Sequence, residues 1–127
     1  MRTNLKIALA LIAGIGLGAA ATQGLHAQAK PKAYTVTEIE VLDPNLVAAY
    51  GPVVTGAIKN AGGKTLNTAG GKTVAFVGEA PKRVAINEFD SLDQATAFIN
   101  SAAYKAIIPQ RDKAEKVLRQ YAVEATN

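Results

Sequence analysis

Tyr34-Thr35-Val36-Thr37-Glu38-Ile39-Glu40-Val41-Leu42 is rich in β-branched residues, and Asp43-Pro44 follows it directly. The run predicts a strand. Asp43 can cap the free N–H groups of a helix and Pro44 suits its first position, so a helix starts there. Alternation puts Tyr34, Val36, Glu38 and Glu40 on one face of the strand, and Thr35, Thr37, Ile39 and Val41 on the other. Leu46, Val47, Tyr50, Val54, Ala57, Ile58 and Ala61 then recur at helical spacing. Gly51-Pro52 predicts a kink in this helix, and Gly62-Gly63 its end.

Downstream, residues 64–68 and 73–77 read as strands around the turn Ala69-Gly70-Gly71-Lys72. After a second turn at 78–81, residues 82–89 read as the next strand. Val84, Ile86 and Glu88 share one of its faces, and Arg83, Ala85, Asn87 and Phe89 the other. Ser91 with Gln94 three residues on is a capping box, with Leu92, Ala95, Phe98 and Ile99 as the buried stripe. Ser101 caps a second helical piece through Tyr104, Ile107 and Ile108, with an interruption expected near Pro109. Residues 116–124 read as the last strand, with a helical extension over 113–118 as the alternative. The order is β-α-β-β-α-β with a central hairpin, an α+β chain of the ferredoxin-like, split βαβ type. Its antiparallel sheet carries helices on one face only.

Upstream, residues 1–29 read as a signal peptide rather than as part of the fold. Arg2 and Lys6 form a basic start, residues 7–21 are uncharged and apolar, and Ala27-Gln28-Ala29 offers a cleavage site. Cleavage after Ala27 or after Ala29 fits, and residues 30–33 form a linker to a domain over 34–124. The apolar run is shorter than the about 20 residues of a membrane span. Export to a bacterial periplasm or beyond is expected, with an uncleaved anchor as the alternative and membrane contact otherwise only transient.

The full chain of 127 residues has 14 Lys plus Arg against 10 Asp plus Glu, a net charge of +4. Arg2 and Lys6 belong to the leader, so the basic excess of the remaining domain is small. There is no Cys, and the single His, His26, lies in the leader. The domain therefore excludes a Cys/His zinc site, a thiol nucleophile, a disulfide and a Ser-His-Asp triad. No metal or cofactor is expected. Gly70-Gly71-Lys72 lacks the spacing of a phosphate loop. Lys82, Arg83, Lys113, Lys116 and Arg119 read as solvated charges without the interleaved aromatics of a nucleic-acid surface.

Ala33-Tyr34, Glu38-Ile39, Asp43-Pro44, Tyr50, Gly62-Gly63, Glu88-Phe89, Ser91, Ser101, Tyr104 and Arg111 occur in an order and spacing that resemble a bacterial family known as domain of unknown function 1330. The resemblance covers about residues 32–124. It implies a ferredoxin-like subunit paired in a dimeric α/β barrel, and no established activity. Val77 stands where that family usually has an acidic residue, and Asn87 where it usually has an aliphatic one.

In the split βαβ arrangement the strand at 34–42 and the strand at 82–89 are antiparallel neighbours, with Glu38 and Glu88 on the face away from the helices. A homodimer that packs two such faces together encloses a cavity. Carboxylates there are candidates for a general acid and base, or for structural hydrogen bonds and dimer salt bridges. Arg111 is a candidate clamp for an anion or a partner for one of these carboxylates. Tyr34 and Tyr104 are candidate hydrogen-bond donors to a ligand, while Tyr50 sits on the apolar face of its helix. The expected function is a small-molecule-binding module. A cofactor-independent isomerase or monooxygenase-like enzyme acting on a small organic acid or aromatic is the alternative, by analogy of fold. A structural envelope protein without ligand is the third reading.

Overall fold

The computed structural model describes residues 30–126. The chain divides at Lys30/Pro31, and the unit described is the second. The expected leader and its cleavage sites lie outside the described residues.

Seven elements follow in order: β1 (Ala33–Val41), α1 (Pro44–Asn60), β2 (Lys64–Thr65), β3 (Arg83–Phe89), α2 (Leu92–Ile99), α3 (Ala102–Ala114) and β4 (Glu115–Glu124). The sheet order is β2-β3-β1-β4, with every neighbouring pair antiparallel. This is the ferredoxin-like arrangement, with its second helix broken in two at Asn100-Ser101. β1 sits in the middle, bonded to β3 on one side and β4 on the other.

The punctuation residues act as their chemistry dictates. Asp43 Oδ1 accepts from the backbone N–H of Asn45 at 2.9 Å and of Leu46 at 3.2 Å, which starts α1. Gly62 ends it with φ +83°, in the left-handed region that glycine enters without penalty. Ser91 Oγ accepts from the Gln94 N–H at 3.1 Å, and Ser101 Oγ from the Tyr104 N–H at 3.1 Å. Gln94 Nε2 also donates to the Ala61 carbonyl at 3.1 Å, which ties the end of α1 to the start of α2.

Two expectations need correction. Residues 73–77 are not a strand. β2 is only two residues long, and the Thr68 hydroxyl takes over beyond it, donating to Val84 O and accepting from Ile86 N. With no strand partner, Val74, Phe76 and Val77 lie exposed in a long loop, and the central hairpin is therefore not a tight one. Pro109 does not interrupt α3, which runs on to Ala114. Pro109 and Lys105, whose carbonyl loses its donor, are both exposed, so water satisfies what the ring removes. β4 also carries a bulge. Its register with β1 shifts between Glu38 and Ile39, so Glu38 faces Arg119 while Ile39 faces Val117. This bulge keeps Glu115 on the helix-facing side together with Gln120 and Ala122.

The core forms two clusters. Phe89, Phe98, Tyr104, Ile58, Ala95 and Ala33 make the larger one, with ring centroids 5.4 Å apart for Phe89–Phe98 and 5.0 Å for Phe98–Tyr104. Val47, Tyr50 and Ala114 make the smaller.

Gly63 lets α1 pass into β2 against the core: a Cβ there would lie 2.6 Å from Phe89 Cε1 and 2.9 Å from Ile58 Cγ2. Gly63→Ala should destabilise the fold by about 1–3 kcal/mol. Gly56→Ala, in open space within α1, should stabilise it by roughly 0.5–1 kcal/mol. Urea unfolding of both variants checks the opposite signs.

Candidate functional site

A cavity of about 280 Å³ lies between the sheet and its helices, lined by residues of both core clusters. Thr35, Thr37 and Ile39 of β1 reach it because they are the helix-facing set of that strand. Arg83 and Asn87 reach it from β3, Tyr50 from α1, Tyr104 and Arg111 from α3, and Glu115 and Gln120 from β4. One wall is a polar network. Arg111 Nη1 donates to Tyr104 Oη at 3.0 Å, and Gln120 Nε2 donates to the same oxygen at 2.9 Å and to Thr37 Oγ1 at 3.1 Å. Asn87 Nδ2 donates to Thr35 Oγ1 at 3.3 Å. Val47, Val54, Ile58, Phe98 and Ile99 supply an apolar wall.

Two charged groups here are unusual. Glu115 is only 5 % exposed, and among the described residues its carboxylate has no hydrogen bond and no ion pair. It is the first residue of β4, and it is held in place by its neighbour: Ala114 O accepts from the N–H groups of Leu42 and Asp43 at 2.9 and 3.0 Å. Burial pushes its carboxyl pKa up, and Arg83 and Arg111 only partly oppose this. Arg83 Nε is buried with no hydrogen-bond partner among the described residues, and so is Thr65 Oγ1 in the same cavity lining. Buried polar atoms are normally satisfied, so a donor of this kind on a cavity wall is suited to meet a ligand acceptor. Arg111 is differently placed. Burial works against its charged form, but the Asp112 carboxylate and the Tyr104 hydroxyl outweigh it and raise its pKa. Tyr50 is raised by burial first, then by Tyr104 and Glu115.

The other face of the sheet holds the remaining expected residues. Glu38 and Glu88 do share that face, but register places Glu38 opposite Val84 and Glu88 opposite Tyr34. Four residues of strand separate them by about 13 Å, so they do not act on one bond. Arg119 grips Glu38 with both prongs, Nε to Oε2 at 2.7 Å and Nη2 to Oε1 at 2.6 Å. Those bonds hold the Glu38 carboxyl below the usual range despite its burial, which makes it a poor base. Tyr34 donates to Glu88 Oε1 at 3.1 Å, and Lys32 Nζ lies 3.6 Å from Oε2. The Tyr34 pKa is raised, first by that hydrogen bond.

The expected residues thus fall into two groups. Tyr104 and Arg111 line the internal cavity, while Glu38, Glu88 and Tyr34 lie on the opposite face. Arg111 pairs with Asp112 and Tyr104 and with neither of the two glutamates. Sequence reasoning missed Glu115, Arg83, Gln120 and Thr37. Arg83 is not a solvated charge: it faces the cavity with Asn87, as the alternation of its strand implied. Glu115 carries no such signal, because it sits where a helix passes directly into a strand.

The family model described as Domain of unknown function (DUF1330) matches residues 32–126, and the chain belongs to that family. Among solved structures it is similar to RPA0582, a protein of unknown function from Rhodopseudomonas palustris. Identity is 18 % and the TM-score 0.57, over 84 % of this chain and 92 % of that one. Methylated RPA0582 gives 17 % and 0.56, over 84 % and 90 %. HapK from Hahella chejuensis gives 10 % and 0.48, over 74 % and 92 %. The RPA0582 structures share the fold. No curated protein sequence matches.

A carboxyl whose folded pKa is raised weakens the fold as pH rises from the ordinary carboxylate range through the folded value. Glu115→Gln should therefore raise the melting temperature by a few degrees at neutral pH. The gain should vanish in acid, where wild-type Glu115 is protonated in both states. A structural ion-pair role would instead make Glu115→Gln lower the melting temperature at neutral pH.

Proposed function

We propose that this family member binds a small, partly apolar organic anion in the cavity between its sheet and helices α1 and α3. The observation that carries this reading is Arg83, whose buried Nε has no hydrogen-bond partner among the described residues, on the wall of a half-open cavity. A planar fork of donors suits a carboxylate. The volume falls just below the roughly 300–1,000 Å³ of pockets for drug-sized ligands, which favours a small occupant. The apolar wall takes the rest of the molecule.

Two further features belong to this reading. The outer face of the sheet is the seat of a second copy of the chain. It offers half-buried Val36, Val84 and Ile86 beside the half-exposed Tyr121 and Val123, framed by the Glu38–Arg119 and Tyr34–Glu88 pairs. A homodimer would cover this apolar strip. Export is supported by the basic start, apolar run and Ala27-Gln28-Ala29 of the leader. On this reading the protein works outside the cytoplasm.

Native mass spectrometry of the protein purified from its native periplasm tests the binding. A reproducible small-molecule adduct is expected. Arg83→Gln should weaken it by about 10- to 100-fold, the worth of a charged hydrogen bond. An adduct unaffected by Arg83→Gln would contradict the site, and no adduct at all would favour a structural role. The same spectra report assembly. Wild-type protein should be a dimer and Tyr121→Glu a monomer; a wild-type monomer would contradict the second-copy reading and leave the cavity untouched.

A further inference from the structure

Glu115 is not needed to bind an anion. A negative charge beside Arg83 and Arg111 opposes a negative ligand, and a buried carboxylate without partners costs stability. Its retention in a cavity that also holds the unpartnered Arg83 Nε calls for a use. The groups that face it are Arg83 from β3, Arg111 and Tyr104 from α3, and Tyr50 from α1. Neither arginine comes within ion-pair distance of it, so the carboxylate is not neutralised as Glu38 is by Arg119. Glu115 and both arginines line the same cavity.

We infer that Glu115 is a proton-transfer catalyst acting on a small 2-oxo acid bound in this cavity. The inference rests on the binding reading above and names its substrate class. The carboxylate of the substrate meets the Arg83 fork. Its carbonyl oxygen meets the Tyr104 hydroxyl, whose oxygen already accepts from Arg111 and Gln120 and whose own proton is left to donate. The carbon next to that carbonyl then faces Glu115, with its alkyl tail against Val47, Val54 and Ile58. The C–H bond breaks, its electron pair passes to the carbonyl oxygen as an enolate, and the proton bonds to a Glu115 carboxylate oxygen. Return of a proton to carbon restores the carboxylate, so the step needs no co-reactant. A hydroxyl polarised by two donors stabilises the charge that develops on that oxygen. A buried base that no guanidinium grips is poised for this work in a way that the tightly paired Glu38 is not.

The test uses the full chain and a panel of 2-oxo acids of four to six carbons, with 2-oxobutanoate first. Binding is read by calorimetry, and deuterium incorporation at C3 in D2O by proton NMR. Wild-type protein should bind a panel member and accelerate its exchange. Glu115→Gln should lose about 100-fold or more of that acceleration, the usual scale for general base catalysis. It should still bind the acid at least as tightly as wild type. Glu38→Gln should leave exchange unchanged, which guards against a general effect of removing a carboxylate. The exchange rate should also rise with pH through one ionisation that Glu115→Gln abolishes. A panel member that binds without accelerated exchange would overturn the catalytic role and leave the binding reading standing. So would exchange that survives Glu115→Gln. A panel with no binder would overturn the substrate class and count against the binding reading as well.

Discussion

β1 is hydrogen-bonded along both edges, and its period of two divides the chemistry of the molecule between two faces. Thr35, Thr37 and Ile39 look toward the helices, while Tyr34, Val36 and Glu38 look away. Its neighbours must follow the same partition, since a residue directly opposite shares its face. β3 therefore sends Arg83 and Asn87 inward with Thr35 and Ile39, and sends Glu88 outward with Tyr34. A one-residue slip would exchange the contents of the two faces. It would carry Arg83 out of the cavity and Phe89 out of the core.

The two buried glutamates show what that partition achieves. Glu38 and Glu115 are similarly inaccessible, at 7 % and 5 % exposure. Glu38 meets a bidentate guanidinium, which outweighs burial and keeps it ionised. Glu115 meets two guanidinium groups that stop short of it, and burial wins. The same residue type is a strut on one face and an unpaired acid on the other. The difference lies in whether an arginine closes on the carboxylate.

Much of the frame was legible because it rests on local chemistry. Asp43-Pro44, Gly62, Ser91 with Gln94, and Ser101 each act within a turn of themselves, and all stand where the sequence puts them. The faces of β1 and β3 were legible for the same reason. What failed depended on partners far away. Residues 73–77 have the composition of a strand, but the sheet edge beside them stops at Thr65. Pro109 is a local breaker, but Ile107, Ile108 and Ala114 pack on both sides of it and carry the helix through. The site was half legible: Tyr104 and Arg111 line a cavity, and that cavity lies between the sheet and its own helices. Asn87, polar where the family is usually aliphatic, was a sign that this inner face is not simply core.

Chemistry in this cavity requires an inner carboxylate that is unpaired while the outer one is locked. Side-chain carboxyl ¹³C NMR across a pH titration of the full chain reads both in one sample. Glu115 should titrate above the ordinary carboxylate range and Glu38 below it. A Glu115 that titrates as low as Glu38 would mean that an arginine closes on it in solution, and the cavity would then be a filled ion pair rather than a site.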